Sequence, residues 1–199
     1  MKNILILFLT ISLISCSKEE IEEPNYSAFL NNQTPSFSGK LNSEFINWEF
    51  GFNKSQMITG FDNGNGVCSA TDPERILLFG ISSKDGLTRI NIITPKIDTS
   101  NEIEVYSVLN NGRKKIGELY NDFYIRIVKD NDCYINNSKN NDKLEILKIE
   151  EAPYYNNEKC LFVWIKIDNL ILENTNKIND NIVIKDGFMI AQFIGYKFE

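Results

Sequence analysis

Carboxylates, lysines, tyrosines and cysteines are the side chains left to do chemistry in this sequence, because none of its 199 residues is histidine. Serine–histidine and cysteine–histidine nucleophile pairs, histidine-ligated zinc, copper and non-haem iron, and histidine pH switches are excluded on that ground. Paired carboxylates about 5–10 Å apart, one with a raised pKa, are the best remaining route to hydrolysis of a glycoside. Glu102 and Glu104 have the right types, but alternating with Ile103 and Val105 they read as the solvated side of a strand. Neither Gly-x-Ser-x-Gly nor the phosphate-cradling Gly-x-x-x-x-Gly-Lys occurs. Asp62-Asn63-Gly64-Asn65-Gly66 is rich in oxygen ligands, yet an EF-hand loop needs a bidentate Glu at its twelfth position, which here is Pro73. Asp130-Asn131-Asp132 fails in the same way, with Tyr134 where the third ligand belongs. Both read as turns, no metal or cofactor is expected, and the chain reads as a non-enzyme.

Binding chemistry is better represented. Tyr154-Tyr155, between Pro153 and Asn156-Asn157, is an aromatic pair in a loop-like context, and exposed aromatic faces stack on the apolar faces of sugars. We take Tyr154 and Tyr155 as candidate ligand contacts. Trp48 and Trp164 fall in strand-like runs and read as core. Cys68, Cys133 and Cys160 are too far apart for C-x-x-C chemistry and can form one disulfide at most; burial as small apolar residues is the main expectation, and no pairing can be chosen.

The segment that would place this domain in a cell is the first one. Met1 to Glu20 begins with a Lys, continues with an apolar run from Ile4 to Ile14 and ends in Leu13-Ile14-Ser15-Cys16, the order of a secretory signal. At 1.5 Å per residue the run spans only about 17 Å, short of the ~30 Å hydrocarbon layer, so it is a segment to be removed and not a membrane span. Leu13-Ile14-Ser15-Cys16 resembles the lipobox of bacterial lipoproteins. That resemblance implies cleavage after Ser15, thioether lipidation of Cys16 and attachment to a membrane through acyl chains such as palmitate.

Without residues 1–15 the chain has 20 basic against 27 acidic side chains, a formal charge of −7 (20 − 27). Such a balance repels phosphate backbones, so no nucleic-acid partner is expected. Residues 16–35 are acidic at the start and poor in anything to bury, which suits a flexible tether reaching at most about 65 Å at 3.3–3.6 Å per residue. Ser17-Lys18-Glu19-Glu20 resembles the acidic export signal behind the lipidated Cys of surface lipoproteins of the Bacteroidetes type. The resemblance implies an outer-membrane anchor with the domain surface-exposed, the periplasm-facing side being the alternative.

From residue 36 to 199 the period is two. Phe37 to Leu41 and Ile46 to Phe52 flank Asn42-Ser43-Glu44; Ser55 to Phe61 follows; Ile76 to Ser82 and Leu87 to Thr94 flank an Asp85-Gly86 hairpin signal, with Pro95 ending the second. Glu102 to Leu109, Phe123 to Val128, Lys143 to Glu151 and Cys160 to Ile167 read as further strands, and 131–142 as a loop. Ile182-Val183-Ile184 and Phe188 to Ile194 flank Lys185-Asp186-Gly187 as a closing hairpin. About ten short strands with no long helical pattern predict an all-β domain, an antiparallel β-sandwich.

Phe37-Ser-Gly-Lys-Leu-Asn-Ser-Glu-Phe-Ile-Asn-Trp48 and Ile182-Val-Ile-Lys-Asp-Gly-Phe188 resemble the opening and closing hairpins of small uncharacterised β-sandwich surface lipoproteins of the Bacteroidetes type. The resemblance implies the same fold and address and carries no activity with it. The expectation is a membrane-anchored extracytoplasmic lipoprotein that binds or scaffolds a glycan or an envelope protein. A carboxylate-based hydrolase of envelope or dietary polysaccharide is the alternative.

Overall fold

The structure is a computed structural model that describes residues 26–51, 55–62, 74–137, 140–155 and 158–196. Two helices, α1 (Tyr26–Asn31) and α2 (Glu102–Leu109), accompany twelve strands: β1 (Ser36–Leu41), β2 (Glu44–Glu49), β3 (Gln56–Asp62), β4 (Glu74–Ser82), β5 (Thr88–Ile93), β6 (Ile97–Asp98), β7 (Gly112–Lys115), β8 (Tyr124–Lys129), β9 (Asp132–Asn136), β10 (Lys143–Tyr155), β11 (Glu158–Asn174) and β12 (Asn181–Tyr196). Strands hold 63% of the described residues and helices 9%, so the all-β class stands. The two-sheet sandwich is not what the hydrogen bonds draw. The strands pair antiparallel in one sheet, ordered β2-β1-β12-β11-β9-β8-β5-β4-β3, and the sheet curls into a half-barrel that brings β3 and β4 against β12.

The curl originates in β11. Along one edge β11 pairs with β12 from Lys159 to Glu173, while its other edge is shared, β10 taking Glu158 to Lys166 and β9 taking Leu172 to Asn174. The sheet therefore forks between β10 and β9. Asn136, the last residue of β9, is buried at the fork, its Oδ1 accepting from the Ile125 amide at 3.1 Å and its Nδ2 donating to the Gly117 carbonyl at 2.8 Å. Its side-chain amide does the work of a missing strand, since buried backbone groups must be paired.

Alternation directs Phe79, Ile81, Ile90, Ile92, Ile125, Ile127, Val163, Ile165 and Phe193 into the curl, where they form one core, Phe79 meeting Phe193 edge to face at 6.5 Å. A smaller cluster on the outer face joins Ala152, Cys160, Phe162, Trp164 and Ile190 to Phe29 and Leu30 of α1. One end of the half-barrel is plugged by the 94–123 stretch, which buries Ile97, Val105, Leu109 and Ile116. At the opposite end the tight turns gather: Asn42-Ser43, 83–87, Asp130-Asn131 and the 175–180 loop.

Four expectations are corrected. Glu102–Leu109 is a helix: Asn101 caps it by accepting from the Glu104 amide, and four-residue spacing buries Val105 and Leu109 while Ile103 is 82% exposed. The supposed loop 131–142 contains β9, because Asp130 (φ 51°) and Asn131 (φ 70°) form a two-residue turn that reverses the chain straight into it. Lys185-Asp186-Gly187 is not a hairpin turn but an irregularity within the continuous β12, opposite Gly39, where the two backbones come so close that a Cβ on Gly39 would lie 2.8 Å from the Gly187 Cα. Residues 26–35, expected to be tether, carry α1, which is docked on the sheet.

Replacing Asn136 by Ala leaves the Ile125 amide and the Gly117 carbonyl buried without partners. At ~1–3 kcal/mol for each group, a loss of about 2–6 kcal/mol is expected from urea unfolding monitored by tryptophan fluorescence.

Candidate functional site

The turn-bearing end holds a cleft of about 210 Å³ lined by the β1–β2 hairpin (Leu41, Asn42, Glu44, Ile46, Trp48), the β4–β5 hairpin (Ser83, Asp85, Thr88), Lys129 and Ile182. Two locked hairpins place these side chains. Asn42 adopts φ 57°, its amide donating to the Val183 carbonyl at 2.7 Å and its Oδ1 accepting from the Val183 amide at 2.9 Å, which ties the first hairpin to β12. In the second, Asp85 accepts from the Ser83 hydroxyl and from the Leu87 amide at 3.0 Å, and Gly86 supplies φ 74°. Trp48 is half-buried, supported by Phe37 at a ring separation of 6.0 Å.

The result is an apolar floor (Trp48, Ile46, Leu41, Ile182) rimmed by carboxylates, hydroxyls, an amide and one lysine. An enclosed small-molecule site usually runs to about 300–1,000 Å³. A cleft below that range is suited to one ring or side chain of a larger ligand. Its electrostatics are fixed in part: hydrogen bonds from Ser83 and then from the Leu87 amide hold the Asp85 carboxyl below its ordinary pKa of 3.8. The carboxyls at Asp98 and Glu150 are likewise lowered, Asp98 by Ser100 and Glu150 chiefly by Lys148. Glycoside hydrolysis needs one carboxyl pushed the other way.

A second, polar recess of about 380 Å³ lies within the loop from Glu173 to Asn181. Asp180 Oδ2 accepts from the Tyr134 hydroxyl at 2.9 Å and from Asn174 Nδ2 at 2.7 Å, bracing a loop whose tip, Ile178, is 93% exposed.

Cys16, the signal segment, most of Asp62-Asn63-Gly64-Asn65-Gly66 and Cys68 lie outside the described residues. Tyr154 and Tyr155 occupy the last two positions of β10 rather than a loop, with Tyr155 paired to Glu158 across the hairpin at the end opposite the cleft; their side chains lie outside the described residues. Glu102 and Glu104 are not a catalytic pair, because the helix turns them to different sides: Glu104 accepts from the Asp98 amide at 3.0 Å and Glu102 pairs with Lys159 at 3.9 Å. Neither Cys133, half-buried, nor Cys160, buried, is part of a disulfide. Among the described residues no group of three or more Cys, Asp or Glu is arranged to hold a metal, and no helix is long and apolar enough to cross a membrane. The sequence reading missed the set Glu44, Trp48, Asp85 and Lys129. Its turn signals at Asn42 and Asp85-Gly86 were legible, but not that both tips end on the same side.

No protein-family model matches the chain, and neither characterised proteins nor solved structures include a significant match to it.

The Asp85 hydrogen bonds favour the ionised form, so their contribution to stability is present above the ordinary carboxyl pKa and lost as pH falls through the lowered folded value. Carboxyl-detected NMR titration should place the Asp85 midpoint below 3.8. Ser83→Ala should move that midpoint up; an unchanged midpoint would show that the hydroxyl is not the cause.

Proposed function

We propose that the protein is an extracytoplasmic lipoprotein, held on the outer membrane by acyl chains on Cys16 and exposed at the cell surface, whose curled β-domain is a non-enzymatic binding module. The ligand contact is the cleft around Trp48, and the ligand class a glycan presenting one ring to it. The observation that carries this reading is the separation of tether and cleft. Helix α1, the first described element after the acidic segment, docks over Trp164, whose indole N–H donates to the carbonyls of Phe29 and Asn32, both at 3.1 Å. Trp164 lies ten residues along β11 from Asn174 at the turn-bearing end, roughly 33 Å at about 3.3 Å per residue. An anchor reached through α1 would meet the domain at a place separate from the cleft.

An aromatic floor with hydroxyl, amide and carboxylate neighbours is the pattern that stacks on a sugar and hydrogen-bonds its hydroxyls. The uncharacterised surface lipoproteins that the sequence resembles are in keeping with this address.

On a glycan array the purified chain should retain particular glycans without releasing reducing ends, and Trp48→Ala should lower retention at least about tenfold, the value of a lost ring stack near 1.4 kcal/mol. Retention unaffected by Trp48→Ala would remove the cleft from the reading, and released reducing ends would establish the hydrolase. Separately, Cys16→Ala should abolish acyl labelling and move the protein out of the membrane fraction.

A further inference from the structure

On the outer face of β5 and β8, two arginines have no anion among the described residues. Alternation points Arg89 and Asn91 of β5 outward, since Ile90 and Ile92 fill the core, and does the same for Arg126 between Ile125 and Ile127 of β8. The register sets Arg89 opposite Val128 and Asn91 opposite Arg126, so the arginines are diagonal neighbours, with Cβ atoms roughly 7–8 Å apart. No carboxylate or other hydrogen-bond acceptor pairs with either guanidinium among the described residues. Arg89 Nε, Arg126 Nε and Asn91 Nδ2 are all buried and all unpartnered, three of the four such side-chain atoms among the described residues. Asn91 is only 3% exposed, and it lies across Gly80 of β4, where an added Cβ would come within 2.5 Å of its Oδ1.

Unsatisfied buried donors cost free energy, and a few on one patch are explained by a group that is bound there in use. Two guanidiniums and the Asn91 Nδ2 supply donors, with the Asn91 Oδ1 turned toward Gly80, and those donors suit a planar or tetrahedral oxyanion, which arginine binds with two parallel N–H bonds. We propose that Arg89, Asn91 and Arg126 form an oxyanion site on the outer face, taking one carboxylate, sulfate or phosphate group of an anionic ligand. Gly80 is part of the design: a side chain there would collide with the Asn91 Oδ1 and displace the amide. In a chain of net charge −6, this patch is where an acidic ligand meets local positive charge instead of repulsion.

The test is a titration of the ¹⁵N-labelled full chain with sodium sulfate and, separately, with sodium glucuronate, at constant ionic strength held with chloride. Saturable shifts of the Arg89 and Arg126 Nε–H and Asn91 Nδ2–H signals are expected, with half-saturation on the order of 1–10 mM. Response to sulfate alone assigns a sulfate or phosphate ester, and response to glucuronate alone a carboxylate. Arg89→Lys and Arg126→Lys keep the charge and the packed stem, so folding is not in question, yet each should weaken binding about tenfold by removing the fork. Gly80→Ala should weaken it with both arginines intact. No saturation below about 100 mM, or the same affinity in both lysine variants, would overturn the site.

Discussion

The pairing of β11 with β12 is the constraint on which everything else in this molecule depends. It runs from Lys159–Tyr196 to Glu173–Asn181, far longer than the usual strand of about five or six residues. A ribbon of that length cannot stay flat, because each strand turns relative to its neighbour by some 20–25°. No single partner follows β11 along its whole free edge; β10 leaves after Lys166 and β9 arrives only at Leu172. The fork lets the two branches diverge with the twist, and the β9 branch continues through β8, β5 and β4 until it lies back across β12.

That arrangement leaves polar groups at awkward places, and side chains meet them. Asn136 pairs an amide and a carbonyl at the fork. On the outer face Trp164, fully buried, offers its one N–H between two carbonyls at the C-terminal end of α1, while Lys148 donates to the Leu30 carbonyl at 3.0 Å and lies 4.4 Å over the indole ring. A six-residue helix is too short to persist in water by itself. Its existence is therefore a tertiary effect: Phe29 and Leu30 supply buried surface, and the sheet supplies the cap that the sequence of the helix lacks.

Where period-two alternation was backed by a turn residue, the sequence was legible. Asn42, Asp85-Gly86 and Pro95 mark real strand ends, and the uneven spacing of Leu144, Ile146, Leu147 and Ile149 corresponds to a bulge between Ile146 and Lys148. Misreadings had local causes. Glu102 to Leu109 alternates as well as any strand over eight residues, and only the cap at Asn101 and burial at Val105 and Leu109 separate the two outcomes. Asp186-Gly187 carries turn chemistry, Asp186 at φ 51°, yet β11 runs past it in unbroken register, so long-range pairing overrides a local signal. The single curled sheet was not legible because nothing local records that β11 would share one edge between two strands. The cleft was hidden for the same reason: Glu44, Trp48, Asp85 and Lys129 share a mouth only after the curl has formed.

Against this background the few buried polar groups left unsatisfied among the described residues stand out. A fold that recruits an asparagine to bridge its fork, a tryptophan to cap a helix and Tyr134 to brace Asp180 has side chains to spare for buried donors. Asp142 Oδ2 is an isolated exception on the approach to β10. Arg89, Asn91 and Arg126 are different in kind, since they are adjacent on β5 and β8 and each leaves a buried N–H donor unpaired among the described residues. Strands on both sides pin their backbones, and no described residue is placed to accept from those donors.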